Sequence, residues 1–414
     1  MTRCLRPLLL LLALGALSAP VAAAPAASPV DGAQLEQVVL LSRHNLRAPL
    51  VEGGVLQQAT PHAWAHWEVP AGELTTKGGV LEVYMGRYLR QSLVADGLLP
   101  AQGCPSVGSV HAYANSLQRT QATAQFFLAG AFPGCAVAVE QRMPLGTMDP
   151  VFNPVIRRDD AGFRARALKA MQRAEAALPL APSLAELERI SDYPQSPACA
   201  GRAACHLSGE RTQFSVVPGK EPAARGALSL ANGMVDAMLM EHYQGVPAAQ
   251  TGWGRLQSPA QWQALAVLRN GYQDILFGTP EVAREVAAPL LAHLQGVFTD
   301  PQAPRVTLLV GHDSNIGSLL AALGTADYTL PGQYEKTPIG GLLRFERWRV
   351  RRSGEVRMRL VYVYPTTEQL RDAVALDAAH PPGQVVLQLP GCDGGTCRWA
   401  DFMQRIAASQ VPAH

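Results

Sequence analysis

The sequence carries little charge and almost none of one sign in excess: Asp, Glu, Lys and Arg make up 16% of its 414 residues, and the formal net charge is +2. Binding to nucleic acid or to an anionic membrane draws on a basic surplus, so neither partner is expected. Any anion must be held by a local cluster of side chains. Metal-ligand spacing is missing as well. Cys199 with Cys205 and His206 lacks the second ligand pair that structural zinc sites use, so no metal and no cofactor are expected. Beyond the first two dozen residues, no apolar run reaches the roughly 20 residues of a membrane-spanning helix. What remains is a chain with 48% hydrophobic residues, enough to bury a large core and long enough for two domains.

Residues 1–24 read as a secretory signal peptide, with Arg3 and Arg6 as the basic start, an apolar stretch over 8–17 and a small-residue cleavage site at Ala22-Ala23-Ala24. Its removal takes two of the 35 basic residues and none of the 33 acidic ones, which leaves 33 of each. Seven cysteines become six with the loss of Cys4. An even count in an exported chain points to disulfides. Of the connectivities that are possible, the local pairings Cys104–Cys135, Cys199–Cys205 and Cys392–Cys397 are expected.

Three strand-loop-helix units punctuate the chain. The first has a strand over 34–42, where Val38 to Leu41 is continuously apolar as in a strand buried on both faces, followed by Arg43-His44-Asn45-Leu46-Arg47-Ala48-Pro49. Pro49 disfavours helix at Ala48 and leaves this motif on the loop. A long loop with Trp64, Trp67, His62 and His66 follows, its aromatics either lining a pocket or packing the loop, and then a helix over 80–94. The second unit has a strand over 110–113, a loop at 114–116 and a helix over 117–129 that ends before Gly130, with Arg119 in its first turn. The third has a strand over 306–310, the loop Gly311-His312-Asp313 and a helix over 314–323 that Gly324 closes. Strand runs at 342–351 and 356–364 flank Ser353-Gly354 and predict an antiparallel hairpin. Between 150 and 276 helical periodicity dominates. The expected architecture is therefore an α/β domain, 31–149 with 277–414, built on a central, mostly parallel sheet, plus a smaller α-helical domain inserted at 150–276. Loops of the insertion, including Pro218-Gly219-Lys220-Glu221-Pro222, are candidates to overhang the site.

Parallel pairing of the three strands brings Arg43, His44, Arg47, Arg119, His312 and Asp313 to one rim, at the carboxyl ends of strands where open α/β sheets bind ligands. That set suits phosphoryl transfer. Guanidinium forks match phosphate oxygens and stay charged. A neutral imidazole can attack phosphorus to give a covalent phosphohistidine. A carboxylic acid can protonate the leaving oxygen and then deprotonate water. Binding alone needs neither a nucleophile nor a proton donor, which disfavours a phosphosugar-binding protein that does not hydrolyse its ligand.

The sequence resembles the histidine acid phosphatase family. Its signature Arg-His-Gly-x-Arg-x-Pro is met by residues 43–49 with Asn45 in the glycine position, its His-Asp motif by His312-Asp313, and its intervening arginine by Arg119 within Asn115-Ser116-Leu117-Gln118-Arg119-Thr120. The resemblance extends over the mature chain, with further familiar stretches at 74–86, 310–316 and 337–341. It implies a phosphoglycerate-mutase-like α/β domain with a helical insertion and a periplasmic enzyme that acts on a small-molecule phosphate monoester. It also implies His44 as nucleophile, Asp313 as proton donor, and Arg43, Arg47, Arg119 and His312 as phosphate ligands. Within the family, Asn45 points to enzymes acting on glucose 1-phosphate. Phytase-type hydrolysis of inositol hexakisphosphate is the alternative. Glu221 at the pocket mouth would repel additional phosphates and favour a sugar monophosphate. Oligomeric state has no signature in the sequence.

Overall fold

Residues 32–50, 54–392 and 394–410 are described by the structure, a computed structural model; the expected signal peptide lies outside them. The chain opens with β1 (Ala33–Arg43), a short helix α1 (Val55–Gln58) and α2 (Thr76–Ala95). The Thr75 side chain caps α2 by accepting from the Gly78 amide at 3.0 Å. Next come β2 (Val110–Ala114), α3 (Gln118–Ala131) and β3 (Val139–Glu140). Gly130, where the sequence pattern ended α3, lies inside it. A Cβ there would stand 2.1 Å from the Val83 carbonyl oxygen, so this glycine lets α2 and α3 approach rather than stopping a helix.

The middle of the chain supplies α4 (Ala161–Ala177), α5 (Leu180–Ser191), a hairpin of β4 (Gln213–Ser215) and β5 (Ala223–Arg225), α6 (Ala227–Gln244) and α7 (Pro259–Phe277). The hairpin escaped the sequence reading because three-residue strands are too short to show alternation. Ser258 and Gln261 form a capping box at the start of α7, with Pro259 in the first turn. The last part holds α8 (Pro280–Thr299), β6 (Val306–Gly311), α9 (Asp313–Ala322), β7 (Leu342–Val350), β8 (Val356–Tyr364), α10 (Thr367–Asp372), β9 (Gly383–Val386), β10 (Thr396–Arg398) and α11 (Trp399–Ser409).

The main sheet runs β10-β8-β7-β1-β6-β2-β3, with β9 also on β8. Strands β1, β6, β2 and β3 are parallel, and the β7–β8 hairpin joins β1 antiparallel. Both faces are covered, which explains the unbroken apolar run in β1. Val38 and Leu40 pack with Met85 of α2 and Phe127 of α3. Val39 and Leu41 pack with Leu291 of α8, Leu319 of α9 and Phe402 of α11. A separate core gathers Leu187 of α5, Met238 of α6 and Leu265 of α7, and Trp64 and Trp67 pack against it. The loop tryptophans are thus packing residues, and His62 is tied to Asp192 at 2.8 Å. The three expected disulfides, Cys104–Cys135, Cys199–Cys205 and Cys392–Cys397, are all present. Among the described residues no helix is long and apolar enough to cross a membrane.

Strand register sets the site. Arg43 pairs with Gly311 across β1 and β6, and Ala114 pairs with Val310 across β2 and β6. The residues that follow each strand therefore leave the sheet side by side along one edge.

Candidate active site

A cavity of about 450 Å³ opens on that edge, lined by His44, Arg47, Arg119, His312 and Asp313 from the α/β part and by Glu221, Asp236, Arg269, Tyr272 and Gln273 from the middle of the chain. Arg43 is the exception among the expected residues. It is fully buried and does not line the cavity wall; it stands behind, donating to Glu335 Oε1 at 2.9 Å and to the Thr337 carbonyl at 2.5 Å. Its Nη2 lies 3.4 Å from Asp313 Oδ2.

His44 follows β1 on a buried loop, and its Nδ1 is 2.9 Å from the Asn45 carbonyl oxygen. A carbonyl only accepts, so Nδ1 carries the proton and Nε2 keeps a free lone pair. Burial, followed by the charges of Arg119, Arg47 and Arg43, holds this imidazole well below the usual histidine range. It is therefore neutral at a pH near the ordinary histidine value.

His312 occupies the N-cap of α9, and its tautomer follows from its neighbour. Asn115 Oδ1 accepts from the amides of Ser116 and Asp149, both at 2.8 Å, which turns Asn115 Nδ2 towards His312 Nε2 at 2.6 Å. Nε2 therefore accepts, and Nδ1–H is left as the donor. Burial and then Arg119 push this ring down to about 3. The two rings sit edge to face with centroids 5.5 Å apart.

Asp313 begins α9. Its Oδ1 accepts from the Ser314 amide at 2.9 Å, and its Oδ2 accepts from Arg269 Nη2 and, at 3.3 Å, from Gln273 Nε2. Burial works to raise this carboxyl, but Arg43 and Arg269 outweigh it and hold the group well below the usual carboxylate range. Asp313 is thus ionised beside Arg43 and Arg269.

Four arginines face three acids here. Arg47 meets Asp236 in a two-pronged pair, at 3.0 Å and 3.1 Å. Arg269 contacts Asn232 at 3.2 Å as well as Asp313, and its Nε lies 3.8 Å from Asp236 and 3.7 Å from Glu335. Among the described residues Arg119 has only a 3.4 Å contact to the Gly72 carbonyl; burial and then the neighbouring Arg47 push it down to about 10, and it stays charged. The Nε atoms of Arg43, Arg47, Arg119 and Arg269 are buried without a hydrogen-bond partner among the described residues. Such donors are costly to bury unpaired, and an anionic group with several acceptor oxygens would relieve that cost.

Glu221 lines the mouth, on the loop between β4 and β5. Burial and then the Asp313 charge raise its carboxyl, against Arg119.

Sequence reasoning missed Arg269, Asp236, Glu335 and Gln273. Two of them left a trace. Asp236 interrupts Met234-Val235-Ala237-Met238 and Arg269 follows Leu265-Ala266-Val267-Leu268, and a charge inside an apolar helical run has to find a buried partner. Both lie on helices about 190 and 220 residues beyond His44, so only the fold reveals that they meet.

Comparison with known proteins agrees with this geometry. Residues 34–181 match the Histidine phosphatase superfamily (branch 2). Glucose-1-phosphatase of Salmonella typhimurium is 51% identical over 365 residues, covering 87% of this chain and 88% of that protein. Phytase AppA of Escherichia coli is 37% identical over 404 residues, 92% of this chain and 93% of that protein. The solved structure of the phytase from Citrobacter braakii superposes with a TM-score of 0.85 at 32% identity, covering 92% of this chain and 98% of that one. Neutral imidazoles, clustered arginines and overall likeness converge: the chain belongs to the histidine phosphatase superfamily, branch 2, and is a phosphatase.

Proposed function

We propose that the chain hydrolyses glucose 1-phosphate and related sugar monophosphates through a phosphohistidine on His44, as an exported, periplasmic enzyme whose leader is removed. The observation that carries the mechanism is the pairing of a neutral, oriented His44 with Asp313 in one arginine-lined cavity. The phosphoryl group binds among Arg47, Arg119, Arg269 and the Nδ1–H of His312, with Arg43 Nη2, which has no hydrogen-bond partner among the described residues, reaching it from behind the wall. The Nε2 lone pair of His44 forms the P–N bond as the ester P–O bond breaks. Asp313 gives its proton to the departing oxygen, then takes one from the attacking water as the P–N bond breaks and the lone pair returns to Nε2. Asp313 is ionised in the free site because Arg43 and Arg269 hold its proton off. A bound phosphoryl anion draws on those same cations and so raises the carboxyl into its acid form.

The helical stretch 150–276 acts as the cap that supplies leaving-group contacts, including Tyr272, Gln273 and Glu221. A phytase-type specificity is the second reading, supported by the phytase relatives. Glu221 favours the first, since a carboxyl at the mouth opposes the further phosphates of an inositol polyphosphate. The test is turnover of glucose 1-phosphate, inositol hexakisphosphate and p-nitrophenyl phosphate, each with and without a chelator. Hydrolysis of glucose 1-phosphate that resists the chelator and vanishes in His44→Ala is expected. Hydrolysis of none of the three by folded protein would overturn the reading in favour of a binding protein.

A further inference from the structure

Glu82 is a buried acid at the back of the site that none of the chemistry above uses and that, unlike Glu335 and Asp236, faces no arginine among the described residues. It projects from α2, is fully buried, and makes no ion pair among those observed in the described residues. Its Oε2 accepts from Asn45 Nδ2 at 2.7 Å, and its Oε1 has no hydrogen-bond partner among the described residues. Asn45 is held on every side. Its amide donates to Thr123 Oγ1 of α3 at 3.0 Å, and its Oδ1 accepts from the Leu46 amide at 2.8 Å. Its Nδ2 lies against Gly340, where a Cβ would come within 2.5 Å of it and φ is +64°. The backbone carbonyl of this same residue receives the His44 Nδ1–H.

We propose that the buried Glu82 carboxyl is a positioning residue for phosphoryl transfer: it locks the Asn45 side chain and, through the Asn45 carbonyl, aims His44 Nε2 at phosphorus. This rests on His44 being the nucleophile. The family signature carries glycine at the Asn45 position, which leaves that peptide free to rotate. Here a side chain anchored at both ends replaces that freedom, and a rotation of the Asn45 peptide would carry the imidazole with it.

Ionised, Glu82 would bond Asn45 more strongly, but a carboxylate buried without a cation has nothing to offset its lost hydration and draws water or turns away, so the acid keeps this seat only while neutral. Burial pushes Glu82 up to about 8, and the Asn45 hydrogen bond lowers it only in part. No ionisable group on its own helix α2, on the His44 loop, on α3 or on the Gly340 turn contributes to that shift. The acid therefore holds its proton across the acid range and releases it in mild alkali, where His44 loses its alignment.

The experiment measures phosphoenzyme formed from p-nitrophenyl phosphate by rapid quench into base, in which phosphohistidine survives. The aryl leaving group needs little help from Asp313, so the rate reports His44. Glu82→Ala and Asn45→Ala should each lower the phosphorylation rate constant roughly tenfold to a hundredfold, the scale of a 1 Å misplacement, with KM nearly unmoved. The double variant should be no slower than either single one, since both break the same link. Glu82→Gln, which keeps the acceptor oxygen, should recover the rate and lose the decline that the parent shows as pH rises through about 8. Imidazole nitrogen NMR of the parent should show His44 with Nδ1 protonated. Parent-like rates in Glu82→Ala, additive losses, or the same alkaline decline in Glu82→Gln would each overturn the role of Glu82. Should Glu82→Ala fail to fold, the pH profile of Glu82→Gln decides alone. Absence of phosphoenzyme in the parent would instead refute the nucleophile reading itself.

Discussion

Replacing Glu82 by Gln changes one buried proton-binding group and little else, which makes it a direct probe of how this core tolerates charge. In the unfolded chain Glu82 ionises near 4.5, and in the folded protein burial pushes it up to about 8. Below the lower value both states hold the proton and the group is neutral with respect to stability. Between the two values the unfolded chain has released a proton that the folded protein retains, so folding becomes less favourable by about 1.4 kcal/mol for each pH unit. Across the whole interval the loss amounts to about 5 kcal/mol, a large part of the stability of an ordinary domain. Gln keeps the acceptor for Asn45 Nδ2 and has no proton to lose, so Glu82→Gln should be progressively more stable than the parent from pH 5 to pH 8. Glu241, which burial pushes up to about 7, adds the same slope to both proteins and cancels in the comparison. Urea unfolding midpoints of parent and variant at several pH values measure the difference. Curves that run parallel, or a parent that gains on the variant as pH rises, would refute the assignment of Glu82 as a neutral buried acid.

Asp313→Asn should slow alkyl phosphate esters by about a hundredfold to ten-thousandfold while sparing p-nitrophenyl phosphate, because only a poor leaving group needs the proton; equal losses on both would argue against an acid role. Glu221→Ala should raise inositol hexakisphosphate turnover severalfold relative to glucose 1-phosphate, an effect that salt diminishes, and an unchanged ranking would remove Glu221 from substrate choice.

That Arg43, His44, Arg47, Arg119, His312 and Asp313 gather at one edge of the sheet was legible because each lies at or just beyond the end of a strand whose apolar run and following helix leave a local signature. The β4–β5 hairpin and the course of α3 through Gly130 were not. The hairpin strands are too short to show a period, and the glycine owes its place to the Val83 carbonyl on another helix. The antiparallel β7–β8 pair was visible from its alternating runs and the Ser353-Gly354 turn, but its pairing with β1 was not.

The sequence by itself determined the strand exits, the residue types they carry and the local cysteine pairs, since each depends on neighbours within a few tens of residues. Tertiary structure alone decided the ionic frame around them. Arg269 reaches Asp313, Asp236 grips Arg47, and Glu335 takes Arg43 from behind, through contacts that span 44 to 292 residues of chain. It also decided protonation. His44 and His312 are neutral, Asp313 is ionised and Glu82 is protonated because burial and distance to charge set those states, and neither quantity exists until the chain has folded.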